Sequence, residues 1–308
     1  MYYKYNNKYL KYIRRWIYGE HSCFKENKPV AKIDLPSTVI FKTKDCFSGD
    51  IKSNSDTLDA VYAETVNPVT GPIYFNNVDA GDVLEIKIKK IIVNSPGFTM
   101  CVPNEGLLGD IIKKSVTKFY SFDDEKITIN DNLTIKTEPM IGVIGVAPAE
   151  GEVETLSPGD HGGNMDTTLI REGSTVYLPV NVKGAFLGVG DLHAAMGDGE
   201  SWYMGLEVSG EVELDISVRK DLKLDIPFVK TEEKFASLAS ELGTDDALKK
   251  AMLKLLNFMV DNGNIDFETA GFISSLCGNL EISQVVDPLK TVRMSIPTYV
   301  LEQIGVKL

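Results

Sequence analysis

No run of about 18 apolar residues occurs in the 308-residue sequence, so no membrane-spanning helix is expected. Paired cysteine is missing too: Cys23, Cys46, Cys101 and Cys277 lie far apart, with no Cys-x-x-Cys. That spacing excludes a zinc knuckle and a dense disulfide framework, and makes reduced thiols in a cytoplasmic protein the simplest expectation. Positive charge is scarce, with 32 Lys and Arg against 44 Asp and Glu and a formal net charge of −12. Nucleic-acid binding draws on clustered Lys and Arg, so it is not expected. A neutral substrate is compatible with such an acidic chain, whereas an anionic one would need a local basic pocket. Glycine and proline are scattered rather than concentrated, which excludes a collagen-like or low-complexity chain.

The one basic stretch is the first eighteen residues, MYYKYNNKYLKYIRRWIY, with five Lys/Arg and no acid. It lacks the continuous apolar stretch of a signal peptide. Tyr9, Tyr12, Ile13, Trp16 and Ile17 recur at helical spacing. The pattern predicts an amphipathic helix or arm over 1–18, packed on the body or on a sister subunit, with no membrane role.

From about residue 30 to 225 the hydrophobic period is mostly two. Leu84, Ile86 and Ile88 alternate with Glu85, Lys87 and Lys89; Val212, Leu214, Ile216 and Val218 alternate with Glu213, Asp215 and Ser217. Val176, Leu178, Val180 and Val182 likewise share a face. Such alternation describes half-buried antiparallel strands, and many of them imply a sandwich or barrel-like body.

After about residue 230 the period changes. Thr244 reads as an N-cap with Asp245 and Asp246 in the first turn. Leu248, Met252, Leu255, Leu256 and Met259 then mark a helical face, with Gly263 beyond it. A second helix is expected over 266–276, stopped by Gly278, and LEISQVV reads as a strand. The fold class is therefore mainly β with a C-terminal α+β portion. Its divisions fall at 19–150, 151–228 and 229–308, after the arm.

Chemistry concentrates in residues 157–200. Asp160, His161, Asn164, Asp166, Asp191, His193, Asp198 and Glu200 all lie there, including two of the three histidines. Gly184, Gly188, Gly190, Gly197 and Gly199 surround the second cluster, allowing close backbone approach to a ligand. On an extended segment Asp191 and His193, at i and i+2, project to one side. A carboxylate and an imidazole so placed can share one divalent cation, zinc among others. Beside Cys46, Cys101 or Cys277 nothing in sequence supplies the base that a thiol nucleophile needs, and for Cys23 nearness to His21 in sequence is not geometry.

The blocks GGNMD (Gly162–Asp166), GSTVYLPV (Gly173–Val180) and GDLHAAMGDGE (Gly190–Glu200) resemble those of the acetamidase/formamidase family. NPVTGPIY, AGDVLEIKI, PMIGVIGVAP and ISQVVDP extend the resemblance, in order, over about residues 20–300. The resemblance implies hydrolysis of a small amide such as formamide or acetamide to a carboxylate and ammonia. It also implies a divalent metal, zinc first with calcium or another ion as alternatives, and a homo-oligomer. Carried over by block, Asp191, His193, His21 and Asp45 are the expected metal ligands. Glu200 is the expected general base, with Asp166 the second candidate. Asn164, Gly163 and His161 are expected at the substrate, the Gly162-Gly163 amides facing a developing oxyanion. Two positions depart from the family pattern: Met196 stands where glutamine is usual, and Lys25-Glu26 replaces Asp-Asn. Other readings remain open at this point: a non-catalytic binder whose acidic loop holds a structural cation, and a hydrolase of another C–N substrate such as a lactam.

Overall fold

The computed structural model describes residues 15–58 and 66–308, and two nine-stranded sheets dominate it. The first runs Arg15–Ile17, Ser37–Thr43, Gly210–Arg219, Val83–Val93, Thr175–Pro179, Phe228–Lys230, Lys234–Glu241, Lys290–Pro297 and Asn279–Gln284 from edge to edge. Its pairs are antiparallel except the first. The second sheet is centred on Ala185–His193. Met140–Gly145 flanks it on one side, and Val69–Phe75 followed by Glu207–Val208 on the other.

The period-two alternation sets which faces meet. Leu214 pairs with Ile88 and Ile216 with Ile86 across the ladder. All four side chains are buried, whereas Lys87 and Lys89 are exposed. Ile73, Ile141, Ile144, Leu187 and Val189 of the second sheet close over this apolar face. Burying each such side chain contributes about 1.5–3 kcal/mol. Val182 falls beyond the end of its strand at Pro179 and is only half-buried.

The far half of the first sheet is covered by a helix instead. Val176 and Leu178 face the sandwich, but Tyr177 between them joins a second core under helix α1 (Thr244–Asn262). Phe228, Phe235 and Phe258 pack there with centroids 4.8–5.3 Å apart. Aromatic rings so spaced add to the area they bury. The buried face of α1 is Ala247, Ala251, Leu255, Leu256, Phe258 and Met259, while Leu248 and Met252 sit at its margin. Small alanines let the helix lie close to the sheet, and Ser237 Oγ donates to Ala251 O at 2.6 Å. The cap differs as well: Gly243 precedes the helix without a side-chain bond, and Thr244 is its first residue. Helix α2 (Phe267–Cys277) begins on Asp266, whose carboxylate accepts from Thr269 N at 2.8 Å, and ends before Gly278. A short helix α3 (Thr298–Gln303) had no clear sequence signal.

Tyr9, Tyr12 and Ile13 of the expected N-terminal helix lie outside the described residues. Arg15–Ile17 is a strand, parallel to Val39–Phe41, so the helical register does not reach Trp16 and Ile17. Ile17 is recruited to the core by ladder pairing, which overrides local spacing. Among the described residues no helix is long and apolar enough to cross a membrane.

Candidate active site

The strand Ala185–His193 is buried at every position, and its last turn of pleat carries two polar side chains into the interior. Asp191 and His193 enter from this strand. Glu207 stands directly opposite His193 on the neighbouring strand. Asp166 arrives two residues after the short strand Gly162–Asn164, and Glu200 from the loop that follows His193. Asp166, Asp191, Glu200 and Asn67 all hold positive φ, between 38° and 54°. Non-glycine residues in that region cost about 1–3 kcal/mol each and persist where surrounding structure over-determines them, commonly at functional sites.

These groups converge. His193 Nε2 lies 3.1 Å from Glu207 Oε1, 3.6 Å from Asp191 Oδ2 and 3.9 Å from Asp166 Oδ1. Three overlapping triads have ligand atoms within 4.8 Å of one another: Asp166–Asp191–His193, His193–Glu200–Glu207 and Cys46–Asp191–Glu207. They border a cavity of about 80 Å³ that Asn67, Asn164, Tyr203 and Asp287 also line.

The electrostatics are one-sided. Five carboxylates and one imidazole line this cavity, with no Lys or Arg among its lining residues. Burial, then the neighbouring carboxylates, push Asp166 and Asp287 well above the usual carboxylate range. Glu200 is raised well above it by burial and by Asp166. Glu207 rises to about 7 through burial, against the pull of His193. Burial alone would lower His193, but Glu207 and Asp191 outweigh it and raise its proton affinity. Burial and Glu207 likewise push the Cys46 thiol up. Isolated buried charge is prohibitively costly, so such a cluster needs compensation from protons or a cation. Asp166 Oδ1, Asp191 Oδ1, His193 Nδ1 and Glu207 Oε2 are buried without a hydrogen-bond partner. Orphaned carboxylate oxygens beside His193 Nε2 form a mixed oxygen and nitrogen donor set that fits a divalent cation.

The support beneath the cluster is tight. A Cβ on Gly142 would stand 2.3 Å from Asp166 Oδ1 and 2.7 Å from Asp191 Oδ2. Gly142→Ala is therefore expected to displace both carboxylates and weaken divalent-cation affinity by about 10–100-fold, the scale for disturbed ligand support. Calorimetric titration with zinc checks this, and unchanged affinity in a folded variant would show that the two carboxylates do not act on the ion. Buried Arg293 ties the Glu200 loop to the C-terminal strands: it donates to Asp198, Thr167 Oγ1 and Ser283 Oγ. Asp198, one of the acids of the 157–200 segment, is thus an ion-pair partner. Gln284 Oε1 accepts from Val286 N and Asp287 N, presenting Asp287 to the cavity.

Of the expected site residues, Asp166, Asp191, His193, Glu200 and Asn164 meet here. Four do not. Asp45 Oδ1 accepts from Phe47 N and Gly49 N, both at 3.0 Å, so its carboxylate closes a turn. His21 Nδ1 is 2.6 Å from Cys23 O and its ring meets Phe24 edge-on, outside the cavity. His161 also packs against Phe24, with ring centroids 5.2 Å apart, and burial lowers its pKa to about 4. Gly163 lies in the strand paired with Ile144, and the Gly162 amide is spent on Gly159 O at 3.1 Å. Asn164 braces rather than reaches: its Oδ1 accepts from Asn67 and its Nδ2 donates to Asp287. Sequence reasoning missed Glu207, Asp287, Asn67, Tyr203 and Cys46. Asn67 and Asp287 did stand inside the quoted blocks NPVTGPIY and ISQVVDP, where a polar residue beside proline was the available signal. Lys25 pairs with Glu152 at 2.6 Å on the surface, away from the cavity.

The family model described as Acetamidase/Formamidase family matches residues 20–154 and 149–303. A formamidase from Methylophilus methylotrophus is 32% identical over 139 residues, 44% of this chain and 34% of that protein. The matched stretch thus spans about a third of that curated relative. The crystal structure of a recombinant predicted acetamidase/formamidase from Thermoanaerobacter tengcongensis has 42% identity and a TM-score of 0.94, covering 97% of this chain and 100% of that one. That of an acetamidase from Bacillus halodurans has 39% identity and a TM-score of 0.93, covering 96% and 100%. With the family model spanning both sheets and the segments that build the acidic cavity, this chain belongs to the Acetamidase/Formamidase family.

Proposed function

We propose that this chain hydrolyses the C–N bond of small neutral amides, of formamide or acetamide size, giving a carboxylate and ammonia with the help of a divalent cation. The observation that carries the reading is the convergence of Asp166, Asp191, His193, Glu200 and Glu207 on a cavity of only about 80 Å³. A space that small suits one short amide and a water rather than a long chain.

Asp166, Asp191, His193 and Glu207 would hold the cation. When bound, it polarises the amide carbonyl and makes water a nucleophile near neutral pH. Glu200 supplies the proton traffic. Gly205 N donates to its Oε1 at 2.9 Å, which fixes the carboxylate, and its raised proton affinity suits a base that takes a proton and returns it to the leaving nitrogen. Asn67 Oδ1 is buried without a partner on the cavity wall, where it would accept from the substrate –NH₂. Asn164 holds the Asn67 amide in that orientation at 3.2 Å. The cysteine route is disfavoured because burial and the facing carboxylates push the Cys46 thiol up wherever no cation offsets them. Met196 lines a wider pocket of about 430 Å³ that shares Glu200 and Met204 with the inner cavity. The departure from glutamine at this position therefore bears on what surrounds the acyl group.

Ammonia release from formamide and acetamide is the test. Turnover should stop after exhaustive chelation and return with added zinc. Full turnover in metal-free protein, or none with any short amide after metal loading, would defeat the reading.

A further inference from the structure

Cys46 forms part of the cavity wall, one residue after the carboxylate that closes its turn. It is 6% exposed, and Asn67 N donates to its carbonyl at 2.6 Å, which pins the backbone. Its Sγ lies within 4.8 Å of ligand atoms from both Asp191 and Glu207. A second observation is independent of the cysteine. Asp191 Oδ1 and Glu207 Oε2 are buried, at 4% and 2% residue exposure, and have no hydrogen-bond partner. Atoms so oriented are short of a positive partner. A zinc–sulfur bond of about 2.3 Å and a zinc–oxygen bond of about 2.1 Å bring a thiolate and a carboxylate within the observed span.

We propose that Cys46 is a thiolate ligand of the cation, sharing it with Asp191 and Glu207, and that it makes this site prefer zinc over calcium or magnesium. The inference rests on the cation-dependent reading above and adds the ion's identity to it. Carboxylates and one imidazole alone suit hard and borderline ions alike, whereas thiolate selects softer ones. When the cation binds, the Sγ proton leaves to solvent and the sulfur lone pair is donated to the ion, so the ligand is an anion without any oxidation. Cys277 offers a contrast: its thiol donates to Ile273 O at 3.3 Å within α2, and it belongs to none of the three triads.

Cobalt(II) is the probe, because a thiolate ligand gives it a strong near-ultraviolet charge-transfer band that oxygen and nitrogen ligands do not. The full-length protein, stripped by chelation and reloaded with cobalt(II), should show that band. Cys46→Ser should lose it while retaining the weaker visible bands of bound cobalt. The ratio of zinc to calcium affinity should fall by about 10–100-fold in this variant, the range for altered metal surroundings. If Cys46→Ser does not fold, the triple variant Cys23→Ser/Cys101→Ser/Cys277→Ser decides, since Cys46 is then the sole thiol and the band should remain. Cobalt uptake without the band, or a band that survives Cys46→Ser, overturns the role of Cys46 and leaves the cation reading standing. No cobalt uptake at all overturns both.

Discussion

His193→Ala is expected to remove bound cation and amide turnover together while the β-sheet circular dichroism spectrum stays in place. The reason is positional. His193 Nε2 is the imidazole nitrogen set among the carboxylates, 3.1 Å from Glu207 Oε1. It also belongs to two of the three triads. Alanine takes away a neutral donor and leaves Asp166, Asp191 and Glu207 facing one another with no imidazole between them. Those carboxylates can take up protons, as the raised affinity of Asp166 and Glu207 indicates, so the fold should survive. Metal content, measured by elemental analysis on the purified variant, should fall to background, with ammonia release falling in parallel. Retention of both would remove His193 from the ligand set.

Glu200→Gln is expected to separate binding from chemistry. Glutamine keeps the size of the side chain and an oxygen that can still accept from Gly205 N, so the loop should hold its place. It cannot take a proton as a carboxylate does. Turnover number should fall by about 10²–10⁴-fold, the usual contribution of a positioned acid–base group, with the Michaelis constant changed only a few-fold. Cation content should be unaltered. Glu200 also lies within reach of His193 and Glu207, so loss of the cation alongside rate would make it a ligand instead. If neither quantity moves, Asp166→Asn is the next variant, because Asp166 is another cavity carboxylate whose proton affinity burial raises strongly, and it stands 3.9 Å from His193 Nε2.

The parts of the molecule that were legible in the sequence are those governed by local periodicity. Leu84, Ile86 and Ile88 announced their shared face because side chains on a strand alternate strictly, and the structure buries all three. Asp191 and His193 were legible for the same reason, two residues apart on one extended segment. Helix α2 could be bounded from Asp266 and Gly278, whose roles at helix ends follow from backbone chemistry. The buried face of α1 was read a residue away, since which stripe faces inward depended on the sheet and on alanines that permit close approach.

What only the tertiary structure decided is which side chains share the cavity. Asp45 and Cys46 are neighbours in sequence, yet the turn amides of Phe47 and Gly49 claim the carboxylate and the thiol is the group that reaches the interior. Glu207 becomes a site residue through its register with His193, and Asp287 through a loop held by Gln284. Residues 46, 67, 166, 191, 207 and 287 come from separate strands and turns, and nothing in their local patterns records the pairings that join them. By itself the sequence determined the alternating faces, the acidic character and the polar segment from 157 to 200. The packing of two sheets determined the site, because a buried cluster of like charge is specified by contacts across the chain, not along it.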